Sequence, residues 1–218
     1  MGSPFDQSTY QVRFEWGTGG LARLAPADVV VVVDVLRFSS TVPDAVASGA
    51  AVSLADAQEW SSNGAAVAAA ARDAVVLVGG LRNAAATARA IQVEQERRQQ
   101  RTSVAVIAAG EKAADGTLRF AVEDQLGAGA VIAALTDLGI DHTAPDAAVA
   151  AEGFRALKGA LRHLLTASGS ARELEIGVAS TARMAESGIV PASVAEAASL
   201  DSSEVVPMLR DGLFVPFA

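Results

Sequence analysis

Five consecutive valines, Val29–Val33, constrain the fold more than any other feature of this chain. A run that is apolar and β-branched at every position predicts a strand covered on both faces, which is typical of parallel sheets flanked by helices. Similar short runs follow at Val75–Val78, Val104–Ile107 and Glu175–Val178. We predict a strand at each of these four runs.

Alanine-rich stretches with helical spacing lie between and beyond these runs. They span Val42–Ser48, Ala65–Arg72, Ala84–Gln100, Asp124–Leu138 and Glu152–Ala167. Because strands and helices alternate along the chain, the sequence predicts an α/β fold of three layers, in which helices cover both faces of a mostly parallel sheet.

The segments near the two ends fit the same sheet. The alternating pattern of Tyr10–Trp16 predicts an outer or antiparallel strand, and the apolar segments Val205–Pro207 and Leu213–Phe217 predict a closing strand or tail packed on the core. No internal repeat or long linker divides the sequence, so we predict a single domain over residues 1–218. The alternative is two interlocked lobes that meet near residues 140–150.

Charge and composition exclude several classes of function. The chain has 17 Lys and Arg against 25 Asp and Glu, a net charge of −8, and no concentrated basic face, so we expect no nucleic-acid partner. The absence of cysteine excludes disulfides, thiolate metal sites and a thiol nucleophile, and two histidines are too few for a histidine-rich metal cage. The start of the sequence does not resemble a targeting signal, and Val29–Val33 is too short to span a bilayer, so we expect a cytoplasmic protein without a membrane partner.

Polar residues cluster directly after the first valine run, where parallel sheets bind their ligands. Asp34 at a strand end can hold a divalent cation or attack phosphorus, and Arg37 offers a planar fork to an oxyanion. The hydroxyls of Ser39, Ser40 and Thr41 lie at the start of a predicted helix, which suits an anion. The same residues would also serve a plain strand end followed by a helix cap, and the pattern alone leaves both interpretations open.

Two further loops carry candidate substrate-binding residues. Ser62, Asn63 and Gly64 precede a predicted helix and offer small polar groups to an anion. Arg82 and Asn83 follow the predicted strand Val75–Val78 and could also reach a ligand. Capped turns are the alternative interpretation of both loops.

Glu123 and Asp124 begin a long apolar helix. Acidic residues are ordinary in a first helical turn, because they offset the positive end of the helix dipole. Together with Asp34, however, they would form an oxygen-only ligand set suited to Mg²⁺. The following Gly127-Ala-Gly129 indicates close helix packing rather than a dinucleotide fingerprint.

Taken in chain order, these segments resemble the magnesium-dependent 2-phosphosulfolactate phosphatase family of the coenzyme M pathway. The similar segments are Asp34–Thr41, Ala45–Ala50, Ser61–Gly64, Leu81–Ala84, Ala108–Gly110 and Glu123–Gly129. Several blocks in the same order are more specific than any single block, and together they cover roughly Val29–Leu135.

The resemblance implies Mg²⁺-dependent hydrolysis of a small anionic phosphate monoester similar to 2-phosphosulfolactate. Asp34 and Arg37 are then the expected catalytic residues, and Asp34, Glu123 and Asp124 the expected metal ligands. Whether Asp34 binds the metal or attacks phosphorus stays open at this stage. The alternative function is a non-catalytic anion- or metabolite-binding protein on the same scaffold. We expect a homo-oligomer, which is compatible with both functions.

The chain departs from the family pattern at two places. The segment Leu54–Trp60 leads directly into Ser61, where family members carry a Gly-Glu-Arg and an Asn-Ser-Pro segment. An acid and an arginine that the resemblance would place in the site therefore have no counterpart here. In addition, Ala108 stands where the family often has cysteine.

Overall fold

The computed structural model of the protein describes residues 3–218 and contains two sheets surrounded by helices. The strands are β1 (Val12–Trp16), β2 (Val29–Val33), β3 (Val52–Ser53), β4 (Val75–Val78), β5 (Val104–Ala108), β6 (Glu111–Lys112), β7 (Leu118–Arg119), β8 (Pro207–Arg210) and β9 (Leu213–Pro216). The helices are α1 (Gly17–Arg23), α2 (Phe38–Ala47), α3 (Leu54–Trp60), α4 (Gly64–Ala70), α5 (Ala84–Arg98), α6 (Val122–Asp137), α7 (Pro145–Leu157), α8 (Leu161–Ala167), α9 (Gly169–Ile176), α10 (Ala179–Glu186) and α11 (Val194–Ala197). Short 3-10 turns cover Leu81–Asn83 and Lys158–Ala160.

The central sheet has seven strands in the order β1-β5-β2-β4-β8-β9-β3. The first four strands of this order pair in parallel, whereas β8 and β9 continue the sheet with antiparallel pairing. Strand β1 is therefore the predicted outer strand, and it is parallel to its neighbour. The predicted strands at three of the four β-branched runs and the predicted closing strands near the C-terminus are confirmed.

The central sheet separates two hydrophobic cores, and alternate residues of its strands pack into one core or the other. Val29, Val31 and Val33 pack in the first core, with apolar residues of α5, α6, α7 and α8. Val30 and Val32 pack in the second core, with residues of α2, α3, α4 and α10. Burial on both faces explains the unbroken run of valines, and the predicted three-layer α/β fold is confirmed. The number of lobes stays a prediction.

The fourth predicted strand, Glu175–Val178, is wrong. These residues lie at the end of helix α9 and in the turn that follows it. Ser168 caps this helix, since its side-chain oxygen accepts a hydrogen bond from the backbone N–H of Ala171 at 3.1 Å. Gly177 ends the helix with a φ of 101°, a conformation that favours glycine. The residues that cap the helix therefore determine the secondary structure of this segment, and its brief apolar pattern does not.

The other helix predictions are confirmed with shifted ends, except that the predicted helix Glu152–Ala167 is divided into α7 and α8 by the turn at Lys158–Ala160. The interpretation of the two helix glycines as close-packing residues is also confirmed. A Cβ on Gly127 would come within 2.6 Å of Val35, and one on Gly129 within 2.2 Å of the Ala150 carbonyl. Helix α6 therefore approaches both the loop after β2 and helix α7 closely. No helix within residues 3–218 has both the length and the apolar character needed to cross a membrane.

Candidate active site

Asp34 lies at the carboxyl end of the central strand β2, and the surrounding backbone fixes its side chain. Its Oδ2 accepts a hydrogen bond from the backbone N–H of Gly64 at 2.9 Å and lies 3.4 Å from the hydroxyl of Ser61. A side chain on Gly64 would bring a Cβ within 2.7 Å of this carboxylate oxygen, so only glycine allows the approach. The carboxylate is therefore preorganised before any ligand binds.

The environment of Asp34 disfavours its charged form. Only 8% of the residue is exposed, and burial raises the pKa of its carboxyl to about 6. The hydrogen bond from Gly64 lowers this pKa, whereas the negative charges of Glu111 and Glu123 raise it further. Acidic groups from distant parts of the chain therefore converge on Asp34, and a cation beside them would relieve their mutual repulsion.

A polar cavity of about 180 Å³ opens above Asp34. Its lining residues come from the loop after β2, from the α3–α4 junction, from β6 and from helices α9 and α10: Asp34, Leu36, Arg37, Phe38, Trp60, Ser61, Ser62, Asn63, Glu111, Ser170, Glu173, Leu174, Val178, Ser180, Arg183 and Met184. We call the lining contributed by Asp34, Arg37, Ser61–Asn63 and Glu111 the floor, and residues 168–189, which carry α9 and α10, the cap.

Glu111 is a floor residue that the sequence analysis missed. It lies in β6, three residues after the central strand β5 ends, and its side chain shares the cavity with Asp34. Burial raises the pKa of Glu111, and the charge of Glu123 raises it further. The position after a buried strand was a usable signal, because the carboxyl ends of parallel strands meet at one edge of a sheet.

The two predicted metal ligands of α6 lie close to Asp34 but do not line the cavity. Both carboxylate oxygens of Asp124 are occupied by backbone groups, the N–H of Val35 at 2.7 Å and the N–H of Gly110 at 2.8 Å. Glu123 is buried behind Ser170, whose hydroxyl contacts Glu123 Oε1. The same hydroxyl donates a hydrogen bond to Glu111 Oε1 at 2.7 Å. Burial, followed by the charges of Asp34 and Glu123, raises the pKa of Asp124 well above its usual range.

These contacts distinguish the surroundings of the three predicted ligands, whose role in binding a metal stays a prediction. Asp124 connects the loops that follow β2 and β5, so its structural role is to hold the floor together. Glu123 reaches the cavity only through the hydroxyl of Ser170. The carboxylates that face the cavity on the floor are those of Asp34 and Glu111.

Arg37 lies where the sequence analysis expects an anion-binding group. Its guanidinium lines the cavity, and its Nη2 donates a hydrogen bond to the hydroxyl of Thr181 in α10 at 2.6 Å. Burial lowers the pKa of Arg37, and the neighbouring charge of Asp34 raises it. The side chain therefore stands between the floor and the cap, beside the buried carboxylate.

Arg82 and Asn83, by contrast, are used within the fold. The guanidinium of Arg82 forms an ion pair with Asp44 and donates to the backbone carbonyl of Ser40 at 2.9 Å. Asn83 is fully buried, and its side chain bonds to backbone groups, including the carbonyl of Val205 at 2.9 Å. Neither residue lines the cavity, so the structure does not bring them to the site.

The predicted hydroxyl cluster after β2 also serves the backbone. Ser39 Oγ accepts from the N–H of Asp34 at 3.1 Å, Ser40 Oγ donates to the carbonyl of Val35 at 2.6 Å, and Thr41 Oγ1 accepts from the N–H of Ala192 at 3.1 Å. All three side chains are buried and absent from the cavity lining. Ser39 and Ser40 thus hold the loop that carries Asp34, and Thr41 connects α2 to the segment that follows the cap.

The α3–α4 junction contributes three polar residues to the floor. The end of α3 passes directly into Ser61, whose backbone N–H donates to the carbonyl of Ala57 at 2.8 Å. Ser62 and Asn63 line the cavity as expected, whereas the N–H of Gly64 is taken by Asp34. The short junction that departs from the family pattern thus places Ser61 beside Asp34.

The chemistry of the floor suits a hard divalent cation. Within residues 3–218, no group of three or more histidine or acidic side chains is arranged as a complete metal cage. Mg²⁺, however, commonly takes one or two protein carboxylates and completes its shell with water and substrate phosphate. The carboxylates of Asp34 and Glu111, with the oxygens of Ser61 and Asn63 on the same wall, fit that requirement.

The cap is the part of the site that the sequence analysis did not find. Its cavity-facing residues recur at helical spacing: Ser170, Glu173 and Leu174 in α9, and Ser180, Arg183 and Met184 in α10. Each set follows the i, i+3, i+4 pattern of one helix face. The pattern could have been found in the sequence, but the strand predicted across Glu175–Val178 concealed it.

Comparison with known proteins gives a family match. The family model described as 2-phosphosulpholactate phosphatase matches residues 60–212, which is more than half of the chain. A search of curated proteins found no match to the chain. The match includes the α3–α4 junction, Glu111 and the whole cap, and it begins beyond Asp34 and Arg37. Because it covers more than half of the chain, this match shows that the chain belongs to the 2-phosphosulpholactate phosphatase family.

Proposed function

We propose that the protein hydrolyses a small anionic phosphate monoester, similar to 2-phosphosulpholactate, with the help of Mg²⁺. The observation that supports this most strongly is the meeting of Asp34, Glu111 and Arg37 in one polar cavity. Two carboxylates and a guanidinium side by side can hold a cation and an oxyanion at the same time. Family membership supports the same reaction class.

The charges of the cavity explain why a cation belongs to the proposal. The lining carries three carboxylates, those of Asp34, Glu111 and Glu173, against the guanidinium groups of Arg37 and Arg183. A phosphate dianion would be repelled by this excess of acid, and the whole chain has a net charge of −8. Mg²⁺ held by Asp34 and Glu111 would offset the repulsion and stabilise the charge that develops on the transferred phosphoryl group.

The protein's own groups position the reactants. Gly64 and Ser61 fix the orientation of the Asp34 carboxylate, and Thr181 fixes the guanidinium of Arg37. Arg37 then binds the phosphoryl oxygens, while the hydroxyl of Ser62 and the amide of Asn63 offer further hydrogen bonds on the same wall. Hydrolysis adds water to phosphorus and breaks the ester P–O bond, so holding the ester in line with the attacking water supplies most of the catalysis.

The test is phosphate release from a panel of phosphate monoesters, with Mg²⁺ and with a chelator. We expect activity only with Mg²⁺, and a loss of about 10²-fold or more in Asp34→Asn. Asp73→Asn is the matched control, because Asp73 is exposed, lies outside this cavity, and has a positive φ that asparagine tolerates.

Three outcomes would contradict the proposal. Activity that is unchanged by chelator would exclude the cation, and activity that is unchanged in Asp34→Asn would exclude the carboxylate. Binding of phosphate esters without any hydrolysis would favour the alternative function, a non-catalytic anion-binding protein.

A further inference from the structure

We propose that Arg183 of the cap selects phosphate esters that carry a second anionic group, a carboxylate or a sulfonate. This inference rests on the proposed phosphatase activity and assigns its substrate selectivity to one side chain. Arg183 lines the same cavity as Asp34 and Arg37 but belongs to helix α10, outside the floor. The cavity therefore holds two guanidinium groups on two different walls.

The two arginines differ in their surroundings. Arg37 is half-buried beside Asp34 and is oriented by the hydroxyl of Thr181. Arg183 is exposed, and its guanidinium has no hydrogen-bond or ion-pair partner among residues 3–218. A guanidinium that faces a cavity without a protein partner is free to bind a ligand anion, and its five N–H donors suit a planar carboxylate or a sulfonate.

Other cations near the site are less suitable for this role. Arg82 is occupied by Asp44 and by the carbonyl of Ser40. Lys112 lines a separate depression that adjoins the floor at Ser62, Asn63 and Glu111, and it does not line the cavity above Asp34. Arg183 is thus the second cation of the cavity in which the phosphate is expected.

The cap also ties the position of Arg183 to that of Arg37. Thr181, which holds Arg37, lies two residues before Arg183 in α10, and Met184 anchors the same helix in the second core. An ester whose phosphate lies on Arg37 would therefore meet Arg183 in the same cavity, on the helix that holds Arg37. Since the cavity is only about 180 Å³, the two anionic groups must belong to a small molecule.

The experiment compares two esters of similar shape, 2-phospholactate and isopropyl phosphate, which differ by one carboxylate. We expect Arg183→Gln to lower kcat/KM about tenfold for 2-phospholactate, mainly through KM, and to leave the constants for isopropyl phosphate nearly unchanged. Arg183→Lys, which keeps the charge, should recover part of the loss. The phosphate ester of 2-hydroxyethanesulfonate, tested in parallel, shows whether a sulfonate is selected in the same way.

Arg172→Gln is the matched control, because Arg172 is an exposed arginine of helix α9 that does not line the cavity. It should leave both esters unaffected. An equal loss of kcat/KM for both esters in Arg183→Gln would overturn the proposal, because Arg183 would then act on the phosphate or on the fold. An unchanged preference between the esters would overturn it as well.

A binding measurement separates this inference from the proposed function. Trp60 lines the cavity, and the other tryptophan, Trp16, lies in the edge strand β1, so a Trp16→Phe background leaves Trp60 as the reporter of binding. Fluorescence titration with the methylene phosphonate analogue of 2-phospholactate should give about tenfold weaker binding in Arg183→Gln. If no ester is hydrolysed but this difference is found, the proposed function fails and the role of Arg183 stands. Equal affinities in the two proteins would contradict the role of Arg183 whether or not hydrolysis occurs.

Discussion

The floor and the cap of the cavity are built in different ways. In the floor, Asp34 and Glu111 follow buried strands, and a backbone group fixes the side chain of Asp34, which is 8% exposed. The cap is two short helices with exposed surfaces, including Ile176 at 86% exposure. It is tied to the floor through the hydrogen bond from Arg37 to Thr181. Rigid strand ends suit the chemical step, whereas a peripheral segment can change its contacts with the substrate at little cost to the fold.

The largest expected effect concerns the second carboxylate of the floor. Glu111→Gln keeps the shape of the side chain and removes one charge from the proposed cation site, so we expect kcat/KM for phosphate release to fall about 10²-fold. Glu175→Gln is the control, because Glu175 is an exposed acid of the cap that does not line the cavity. Equal activities of the two variants would show that the floor does not depend on Glu111.

Substitutions of Arg37 and Arg82, the two arginines that the sequence analysis singled out, should have clearly different effects on catalysis. Arg37→Gln removes the guanidinium beside Asp34, so we expect about a tenfold or greater loss of kcat/KM for every ester tested. Arg82→Gln breaks an ion pair with Asp44 outside the cavity, so it should lower stability by about 1 kcal/mol and change kcat/KM by less than about threefold. Steady-state kinetics and thermal unfolding of both variants check this, and a strong kinetic defect in Arg82→Gln would place Arg82 in the site after all.

Asp124 tests whether the acids behind the floor are structural. In Asp124→Asn the amide can accept only one of the two backbone N–H groups, of Val35 and Gly110, and its NH₂ then faces the other. We expect the free energy of unfolding to fall by about 1–3 kcal/mol, measured by urea denaturation. Full stability with a complete loss of Mg²⁺ affinity would instead make Asp124 a metal ligand.

The last expected effect concerns stability rather than activity, a pH-dependent gain in Asp34→Asn. Burial raises the pKa of Asp34 in the folded state from its ordinary value of 3.8 to about 6. Its contribution to stability is therefore present below pH 3.8 and is lost as the pH rises through about 6. Asparagine does not carry this cost. In a chelating buffer at pH 8 we therefore expect Tm to rise by a few degrees, on the order of 1–3 kcal/mol, and we expect no gain near pH 4. A gain of equal size at both pH values would mean that the charge of Asp34 is not its cause.

The sequence predicted the floor better than the cap, for physical reasons. Val29–Val33 identifies a strand buried on both faces, and this places Asp34 at the edge where ligands bind. The sequence did not show which polar side chains would form hydrogen bonds with the backbone. The hydroxyls of Ser39, Ser40 and Thr41 resemble an anion site in a sequence, yet all three bond to main-chain groups in the structure.

The roles of Glu123 and Asp124 were equally beyond prediction from the sequence. Their place at the start of α6 brings them near Asp34, as predicted, but the direction of each side chain depends on tertiary contacts with Val35, Gly110 and Ser170. These contacts join residues that are far apart in the chain, and no local pattern encodes them. The cap was missed for a different reason. The short apolar run at Glu175–Val178 was given more weight than the N-cap residue Ser168 of helix α9 and Gly177, which ends that helix.

The most direct test of the account is a crystal soaked with Mn²⁺, as an anomalous substitute for Mg²⁺, together with inorganic phosphate. We predict a single cation bound between the carboxylates of Asp34 and Glu111, with the phosphate on Arg37. A cation bound by Glu123 and Asp124, or a phosphate held away from Arg37, would contradict the division between the acids that face the cavity and those that hold its floor together.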